Sequence, residues 1–391
     1  MKNMVIFPYN LDFEFVLKYS HMLNPEYAIK YLVSPHGWKL CGNRVAYRKD
    51  GEAIQYLQVQ SNFNEMPQDV DTLLIPSFKS NSQYEKIVLE KTVSILSQLQ
   101  TVICCNQFNK EFLGFLQNKC QQAECNFINW ITPQSPTEFS FYFYNEKKYD
   151  NDFDFLSYDE SKSSLLPINT PIIAIAGMGE NTDKFEVSLS LRKQLSETGY
   201  QVSQIGSRNY CELLGFHSFP SFMLNEKIDE RLKIVLFNRY MKQIEEIERP
   251  DLLIITIPGA IQNFSQDITQ GFGLLPYMVC QAVLVDYFIL CSYFVEKNSD
   301  RFFNTLQEMC KYKFNCGVDC FHMSKNQIDA FSTFEFMQLI TKSVENERVK
   351  ESVQSQRMPP EAILIDIHEE QGRQELYQDI MDKLGADCVA I

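Results

Sequence analysis

Short apolar runs alternate with longer amphipathic segments along most of this sequence, and this alternation constrains the fold more than any single motif does. A short continuous apolar run is typical of a buried strand, whereas apolar residues at helical spacing indicate an amphipathic helix. In the first third of the chain the predicted strands are Met4–Pro8, Tyr27–Val33, Ile54–Val59, Asp71–Ile75, Val102–Cys105 and Phe127–Ile131. The predicted helices between them are Leu11–Met22, Ser82–Gln98 and Lys110–Gln122. This pattern favours a Rossmann-like layer sandwich.

The alternation resumes after residue 170 and becomes more regular. The predicted strands there are Ile172–Ala176, Gln201–Ile205, Asp251–Ile257, Tyr287–Phe294, Val318–Met323, Ile363–Ile367 and Cys388–Ile391. The predicted helices are Lys184–Thr198, Ile228–Glu248, Leu274–Val283, Arg301–Lys311, Asn326–Val344 and Gln371–Leu384. Because strands that are apolar throughout are typical of a parallel sheet covered on both faces, we expect a doubly wound sheet of six or seven strands.

Length and periodicity together predict two domains. The chain has 391 residues, which is more than one hydrophobic core usually organises. The periodicity fails between residues 134 and 170, where an aromatic run, Phe139–Tyr144, is predicted as an edge strand and is followed by an acidic, Ser-containing linker. We therefore predict an α/β protein with two Rossmann-like three-layer domains, residues 1–133 and 171–391, the second resembling a degenerate P-loop fold.

Charge and composition exclude some classes of function. The chain carries 36 Lys and Arg against 50 Asp and Glu, a net charge of −14, which argues against general nucleic-acid binding. Met1–Asn10 lacks the apolar core of a signal peptide, so we expect a cytoplasmic protein with reduced thiols. The apolar stretch Met278–Val295 contains Gln281 and Asp286, and we predict a buried helix followed by a buried strand rather than a membrane span.

The loop after Ile172–Ala176 is the main candidate for a binding site. Ligands of doubly wound sheets bind beyond the carboxyl ends of the strands, and this loop reads GMGENTDKF. Its glycines allow close backbone approach, the amides of the following helix point outward, and its lysine can neutralise an anion. The candidate residues are Gly177, Gly179, Asn181, Thr182, Asp183 and Lys184. They predict a site for phosphate or a nucleotide such as ATP or GTP.

The same residues allow a second interpretation. A Walker A loop has Gly before its lysine and a hydroxyl after it, whereas this chain has Asp183 and Phe185. Asp183 is equally well placed to cap the helix, with Glu186 completing a capping box. Thr256, before a Pro-Gly turn, stands where nucleotide-driven P-loop proteins carry a catalytic Asp. If a nucleotide binds, binding or an unusual reaction is favoured over fast hydrolysis.

A long loop after the second strand of this domain offers further candidates. Ser207–Met223 is long for a strand-to-helix connection, and its Phe, Leu and Met content suggests that it covers the crevice or contacts a partner. Arg208 either assists Lys184 with an anion or is a solvated surface residue.

Three histidines are predicted at carboxyl ends of strands: His217, His322 and His368. With Cys211, Asp366 and Glu369 nearby they could form a metal site, or each could satisfy local hydrogen bonds. Of the 12 cysteines, Cys104, Cys105, Cys280, Cys291 and Cys388 fall within apolar runs and are predicted to be core residues.

The stretch AIAGMGENTDKFEVSLSLRKQLSETGYQVSQIGSRNYCELLGFHSFPSFM resembles the clostridial peptide maturation system family, which accompanies radical S-adenosylmethionine enzymes in gene clusters for ribosomally made peptides. The resemblance implies a bacterial cytoplasmic protein of peptide natural-product maturation, with a precursor peptide or a radical S-adenosylmethionine maturase as partner. It assigns no catalytic residues. Three hypotheses stay open: an anion or nucleotide site at Gly177–Lys184, a non-enzymatic module that binds the precursor peptide or the maturase, and a protein that handles a metal or cofactor.

Overall fold

The computed structural model describes residues 1–47, 55–78, 82–106, 108–130, 164–226, 228–296 and 301–387. These residues group into two compact units, Met1–Asn151 with Arg208–Ser221, and Asp152–Ser207 with Phe222–Ile391. The segment Arg208–Ser221 therefore groups with the first unit, although the sequence analysis placed it in the second domain. The edge strand predicted at Phe139–Tyr144, most of the linker and the strand predicted at Cys388–Ile391 lie outside the described residues.

The first unit is built around a mostly parallel sheet. Its strands are β1 (Lys2–Ile6), β2 (Tyr27–Val33), β3 (Arg44–Tyr47), β4 (Gln55–Gln60), β5 (Thr72–Ile75), β6 (Thr101–Cys104) and β7 (Asn126–Asn129), in the order β3-β4-β2-β1-β5-β6-β7. Only β3, which the sequence analysis missed, runs antiparallel to its neighbour within this sheet. The helices are α1 (Glu14–Lys18), α2 (Ser82–Ile95) and α3 (Lys110–Gln122).

The second unit contains a doubly wound parallel sheet. Its elements are β8 (Ile172–Gly177), α4 (Lys184–Glu197), β9 (Val202–Gly206), and, after the short β10 (His217–Ser218) of the other unit, α5 (Glu230–Glu248), β11 (Leu252–Thr256), α6 (Leu274–Ala282), β12 (Tyr287–Ser292), α7 (Phe302–Phe314) and β13 (Cys320–Met323). The chain continues through β14 (Asn326–Ile328), α8 (Ala330–Glu335), β15 (Thr341–Ser343), α9 (Asn346–Ser355), β16 (Ile363–Ile365) and α10 (Glu370–Asp387). Six of these strands pair in parallel in the order β9-β11-β8-β12-β13-β16. The two-domain, Rossmann-like α/β fold predicted from the sequence is thus confirmed.

Helices cover both faces of this sheet because successive strand residues point to opposite sides. On one face, Ile173, Ile175 and Ile289 pack with side chains of α4 and α10. On the other face, the rings of Phe288 and Phe321 contact aromatic residues of α7. The burial on both faces explains why the strands are apolar throughout.

The winding direction changes at β8. The strand that follows β8 in the sequence, β9, lies toward one edge of the sheet. The strand that follows the adjacent β12, β13, lies toward the opposite edge. Such a change opens a crevice at the carboxyl ends of the two strands, which is where ligands bind in open α/β sheets. The loop after β8 lies at this position.

Two predicted elements differ from the structure. Asn326–Val344 is not one helix: it forms the antiparallel β14–β15 hairpin around the short helix α8. Leu11–Met22 is broken into the 3₁₀ turn Leu11–Phe13, α1 and a second 3₁₀ turn, Ser20–Met22. The stretch Met278–Val295 is, as predicted, a buried helix end followed by a buried strand. Among the described helices, none has the length and apolar character needed to cross a bilayer.

Two polar side chains of α5 fix the segment that leads into β8. Asn238, which is buried, donates to the carbonyl oxygens of Leu166 and Ala282 and accepts from the Leu166 N–H. Glu245 accepts from the backbone N–H groups of Asn169 and Thr170 at 2.6 and 2.7 Å. Because these groups hold the approach to β8, they also fix where the loop after β8 begins.

We expect Asn238→Ala to destabilise the second unit by about 2–4 kcal/mol, because it leaves the buried carbonyl group of Ala282 and the partly buried backbone groups of Leu166 without the partner that Asn238 supplies. Denaturant unfolding followed by circular dichroism measures the change. Asn263→Ala, at an exposed turn, is the matched control and should change the free energy of unfolding by less than about 0.5 kcal/mol. Equal effects of the two substitutions would contradict this account of α5.

Candidate functional site

The loop after β8 packs closely around both of its glycines. A Cβ atom added to Gly177 would lie 2.3 Å from Thr182 Oγ1 and 2.7 Å from Lys184 Cδ. A Cβ atom on Gly179 would lie 2.1 Å from Tyr293 Oη. The glycines therefore serve close packing of the loop against its own side chains and against the residue after β12.

Asp183 has an unusual backbone conformation and does not cap the helix. Its φ is 61°, in the left-handed region, and Asn181 is left-handed as well, with φ 58°. Asp183 precedes α4, yet its side chain makes no capping hydrogen bond, so the capping-box interpretation is wrong. The residue instead adopts the conformation that glycine adopts most easily.

Lys184 and Glu180 join this loop to the Pro-Gly turn after β11. The Lys184 side chain is 5% exposed, and its ammonium donates to the carbonyl oxygen of Gly259. Glu180 Oε1 lies 3.7 Å from Lys184 Nζ and accepts the Gly259 N–H at 2.9 Å. The Glu180 carboxylate therefore lies between the Lys184 ammonium and the Gly259 N–H, although the Glu180 side chain is 58% exposed.

Asp183 faces two histidines across the carboxyl edge of the sheet. Its Oδ2 lies 3.6 Å from His322 Nε2, at the end of β13, and 3.5 Å from His368 Nε2, after β16. These three atoms are buried and make no hydrogen bond to any described residue. The other ring nitrogen of His368 lies 3.7 Å from Glu186 Oε1. Asn326 Nδ2 lies 3.5 Å from Asp183 Oδ1.

The charges of this cluster shift the pKa values of two members. Burial alone would raise the pKa of Asp183, but His322, His368 and Ser324 hold it well below its usual range. Burial lowers the pKa of His368, but Asp183 and Glu186 outweigh burial and raise it above the ordinary histidine value. The surroundings of Asp183 therefore favour its ionised carboxylate together with a positive charge beside it.

The structure brings some of the predicted site residues together in the second unit and assigns two others to the first unit. Gly177, Gly179, Asn181, Thr182, Asp183 and Lys184 share the loop after β8, and His322 and His368 lie beside its Asp183. Arg208 and His217 belong to the first unit, where Arg208 lies 3.6 Å from Asp12. A cluster of His322 and His368 with Asp183 thus replaces the predicted set of three histidines.

The loop Ser207–Met223, for which covering the crevice or contacting a partner stays a prediction, is well packed. Its apolar side chains are buried: Tyr210, Cys211, Leu213, Leu214, Phe216, Phe219, Phe222 and Met223. Burial raises the pKa of the Cys211 thiol, and the same holds for Cys320. A protonated, buried thiol is a poor metal ligand, so we interpret both cysteines as core residues.

Sequence reasoning missed two polar residues of the site. Tyr293 donates its hydroxyl to the Glu180 carbonyl oxygen at 2.7 Å, and Asn326 donates to the Asn181 carbonyl oxygen at 3.0 Å. Both follow a strand end, after β12 and β13, so the rule that ligands bind at carboxyl ends of strands was the signal that could have found them. Beside the loop, a pocket of about 330 Å³ is lined by Met178, Tyr293, Phe294, Val295, Glu296, Phe302, Gln327 and Ile328.

No family model matches this sequence, and no curated protein matches it either. Among solved structures, the chain is similar to a DUF1611 family protein from Anabaena variabilis, with a TM-score of 0.58 and 10% sequence identity. The similarity covers 98% of this chain and 100% of that protein. At this identity the likeness shows the two-domain α/β fold alone.

The crowding at the glycines gives a direct prediction. Gly177→Ala should destabilise the second unit by about 1–3 kcal/mol, because the new methyl group overlaps Thr182 and Lys184. Gly385→Ala is the matched control: no atom lies within 4 Å of its added Cβ in α10, so it should be neutral or stabilising by up to about 1 kcal/mol. Denaturant unfolding compares the two, and a Gly177→Ala protein of wild-type stability would show that the loop is not tightly packed.

Proposed function

We propose that the crevice at β8 binds a phosphate-bearing ligand, a nucleotide such as ATP or GTP, in a cytoplasmic pathway that matures ribosomally made peptides. The pathway rests on the resemblance to the clostridial peptide maturation system family. The ligand class rests on the loop itself.

The observation that carries the ligand class is the environment of Lys184. This lysine is nearly inaccessible, yet its ammonium lies at the carboxyl edge of a parallel sheet, between the turn after β11 and the loop after β8. Glu180 supplies the negative charge there, and it accepts the same Gly259 N–H that an incoming anion would use. A phosphate oxygen can replace the Glu180 carboxylate because that side chain is more than half exposed.

Backbone donors in the loop extend this anion site. The N–H groups of Asn181, Thr182 and Asp183 donate no hydrogen bond to any described residue. They directly precede α4, whose N-terminus carries the positive end of the helix dipole. The pocket beside Met178 and Tyr293 offers space for an uncharged part of the ligand.

The chain is better suited to binding than to rapid hydrolysis. Phe185, which follows the lysine, is buried and has no hydroxyl for Mg²⁺. Thr256 ends β11 where a catalytic carboxylate would stand, and it is buried as well. We therefore expect slow nucleotide turnover at most.

Isothermal titration with ATP, GTP, ADP and pyrophosphate tests the proposal. Lys184→Ala should weaken binding about 10- to 100-fold, because a charge-assisted hydrogen bond is lost. Glu180→Gln should strengthen binding by up to about tenfold, because the competing carboxylate loses its charge.

Lys193→Ala is the matched control for this titration. Lys193 lies on the same helix α4, is partly exposed, and pairs with Glu197 at 3.6 Å. It should leave the affinity unchanged. Absence of binding at millimolar ligand, or binding that Lys184→Ala does not weaken, would refute the proposal.

A second candidate function is recognition of a precursor peptide or a maturase without chemistry. It is favoured by exposed apolar side chains around α8, namely Phe331, Phe334, Phe336 and Met337. Pull-down with the radical S-adenosylmethionine maturase tests it. Capture that persists in Lys184→Ala and is lost in Phe331→Ser supports a binding module, and equal capture by wild type and Phe331→Ser excludes this surface.

A further inference from the structure

We infer that Asp183, His322 and His368 form a site for one divalent transition-metal ion. The ligand atoms are Asp183 Oδ2, His322 Nε2 and His368 Nε2, which all lie within 4.8 Å of one another. This inference does not depend on the proposed nucleotide site, because it uses different side chains and a ligand of opposite charge.

Three buried polar atoms without hydrogen bonds to described residues converge at this site. Folded proteins leave few buried polar atoms without a hydrogen bond, because each such atom costs free energy of desolvation. Here three of them face the same point, and each lacks a hydrogen bond to any described residue. His322 is fully buried, and the Asp183 side chain is 7% exposed. A cation at their centre satisfies all three atoms at once.

The distances between these atoms suit a metal ion better than they suit hydrogen bonds. Asp183 Oδ2 lies 3.6 Å and 3.5 Å from the two histidine nitrogens, which is too long for a good hydrogen bond. A metal with bonds of about 2.0–2.1 Å to tetrahedral ligands holds those ligands about 3.3 Å apart. The two separations from Asp183 therefore need only a small contraction around an ion, and the two histidine nitrogens lie within 4.8 Å of each other.

The types of ligand atom indicate which metal ions the site would hold. Two imidazoles with one carboxylate suit Zn²⁺, Fe²⁺ or Co²⁺ better than Mg²⁺ or Ca²⁺, which prefer oxygen ligands. Two histidines and one carboxylate also leave coordination positions open for a further ligand, as a catalytic or carrier site needs.

Neighbouring groups are arranged as an outer shell around two of the three ligands, His368 and Asp183. Metal-bound histidines usually direct their second ring nitrogen to a carboxylate or a carbonyl, and His368 Nδ1 faces Glu186 Oε1 at 3.7 Å. Asn326 lies beside the second oxygen of Asp183. The left-handed backbone of Asp183 turns its carboxylate away from the helix end and toward the histidines.

One contact must change when the ion binds. The Ile367 N–H donates to His322 Nδ1 at 3.3 Å, which leaves the ring proton on Nε2. Coordination through Nε2 moves that proton to Nδ1, so this long hydrogen bond has to open. Metal binding should therefore alter the amide environment of Ile367, a readout that is independent of any activity.

The test is titration of the chelator-treated full chain with Co²⁺ in the absence of phosphate compounds. We expect one Co²⁺ per chain, visible d–d absorption bands from the nitrogen and oxygen ligands, and a rise in Tm. His368→Gln should weaken Co²⁺ binding at least about 100-fold, and Glu186→Gln, which leaves the three ligands intact, about tenfold. His36→Gln, at an exposed histidine of the first unit, is the control and should bind as wild type does.

The outcomes separate this inference from its alternative, a hydrogen-bonded His–Asp–His cluster that binds no ion. No binding of Co²⁺ or Zn²⁺ at millimolar metal, or Co²⁺ binding that both His368→Gln and Glu186→Gln leave unchanged, overturns the inference. Circular dichroism of Glu186→Gln confirms that reduced binding does not come from unfolding. Co²⁺ binding without any nucleotide binding would remove the proposed function and leave the metal site standing.

Discussion

The left-handed backbone of Asp183 is the constraint on which the candidate site depends. A non-glycine residue in this conformation costs roughly 1 kcal/mol, and giving up a helix cap costs about another 1 kcal/mol. The chain accepts both costs at one position. In return, the backbone of Asp183 stays in the loop that leads to Lys184 while its carboxylate faces His322 and His368. Local strain of this kind, at a conformation that the surrounding structure enforces, is typical of functional sites.

The parallel sheet explains why residues so far apart in sequence meet at this point. β8, β13 and β16 run in the same direction, so the residues at their carboxyl ends share one edge. Gly177 lies opposite Cys291 of β12, and Cys291 lies opposite His322 of β13. His368 follows β16 at the same edge. The crevice thus carries a lysine, which we propose for an anion, beside a carboxylate with two imidazoles, which we propose for a cation.

The fold was predictable from the sequence because the period of apolar residues is a local signal. β8, α4 and β11 appear close to their predicted bounds, and the loop between Gly177 and Lys184 follows from them. The Asp183–His322–His368 cluster was only half predicted, since strand register and a left-handed residue are not encoded in local periodicity. The single helix predicted at Asn326–Val344 is wrong because Phe331, Phe334 and Phe336 have near-helical spacing but are exposed around a hairpin. The position of Arg208 in the chain left open whether it assists Lys184 or is a solvated surface residue, and it does not reveal that Arg208 pairs with Asp12.

The most direct test of the claim that Asp183 is held for a ligand and not for stability is the free energy of unfolding of Asp183→Gly in chelator-treated buffer. Glycine adopts the left-handed conformation without strain, so the substitution removes the backbone cost at this position. The account predicts a stability within about 1 kcal/mol of the wild type, or higher. A loss of about 3 kcal/mol or more would contradict it, because that is the cost of breaking a buried ion pair on which the fold itself depends.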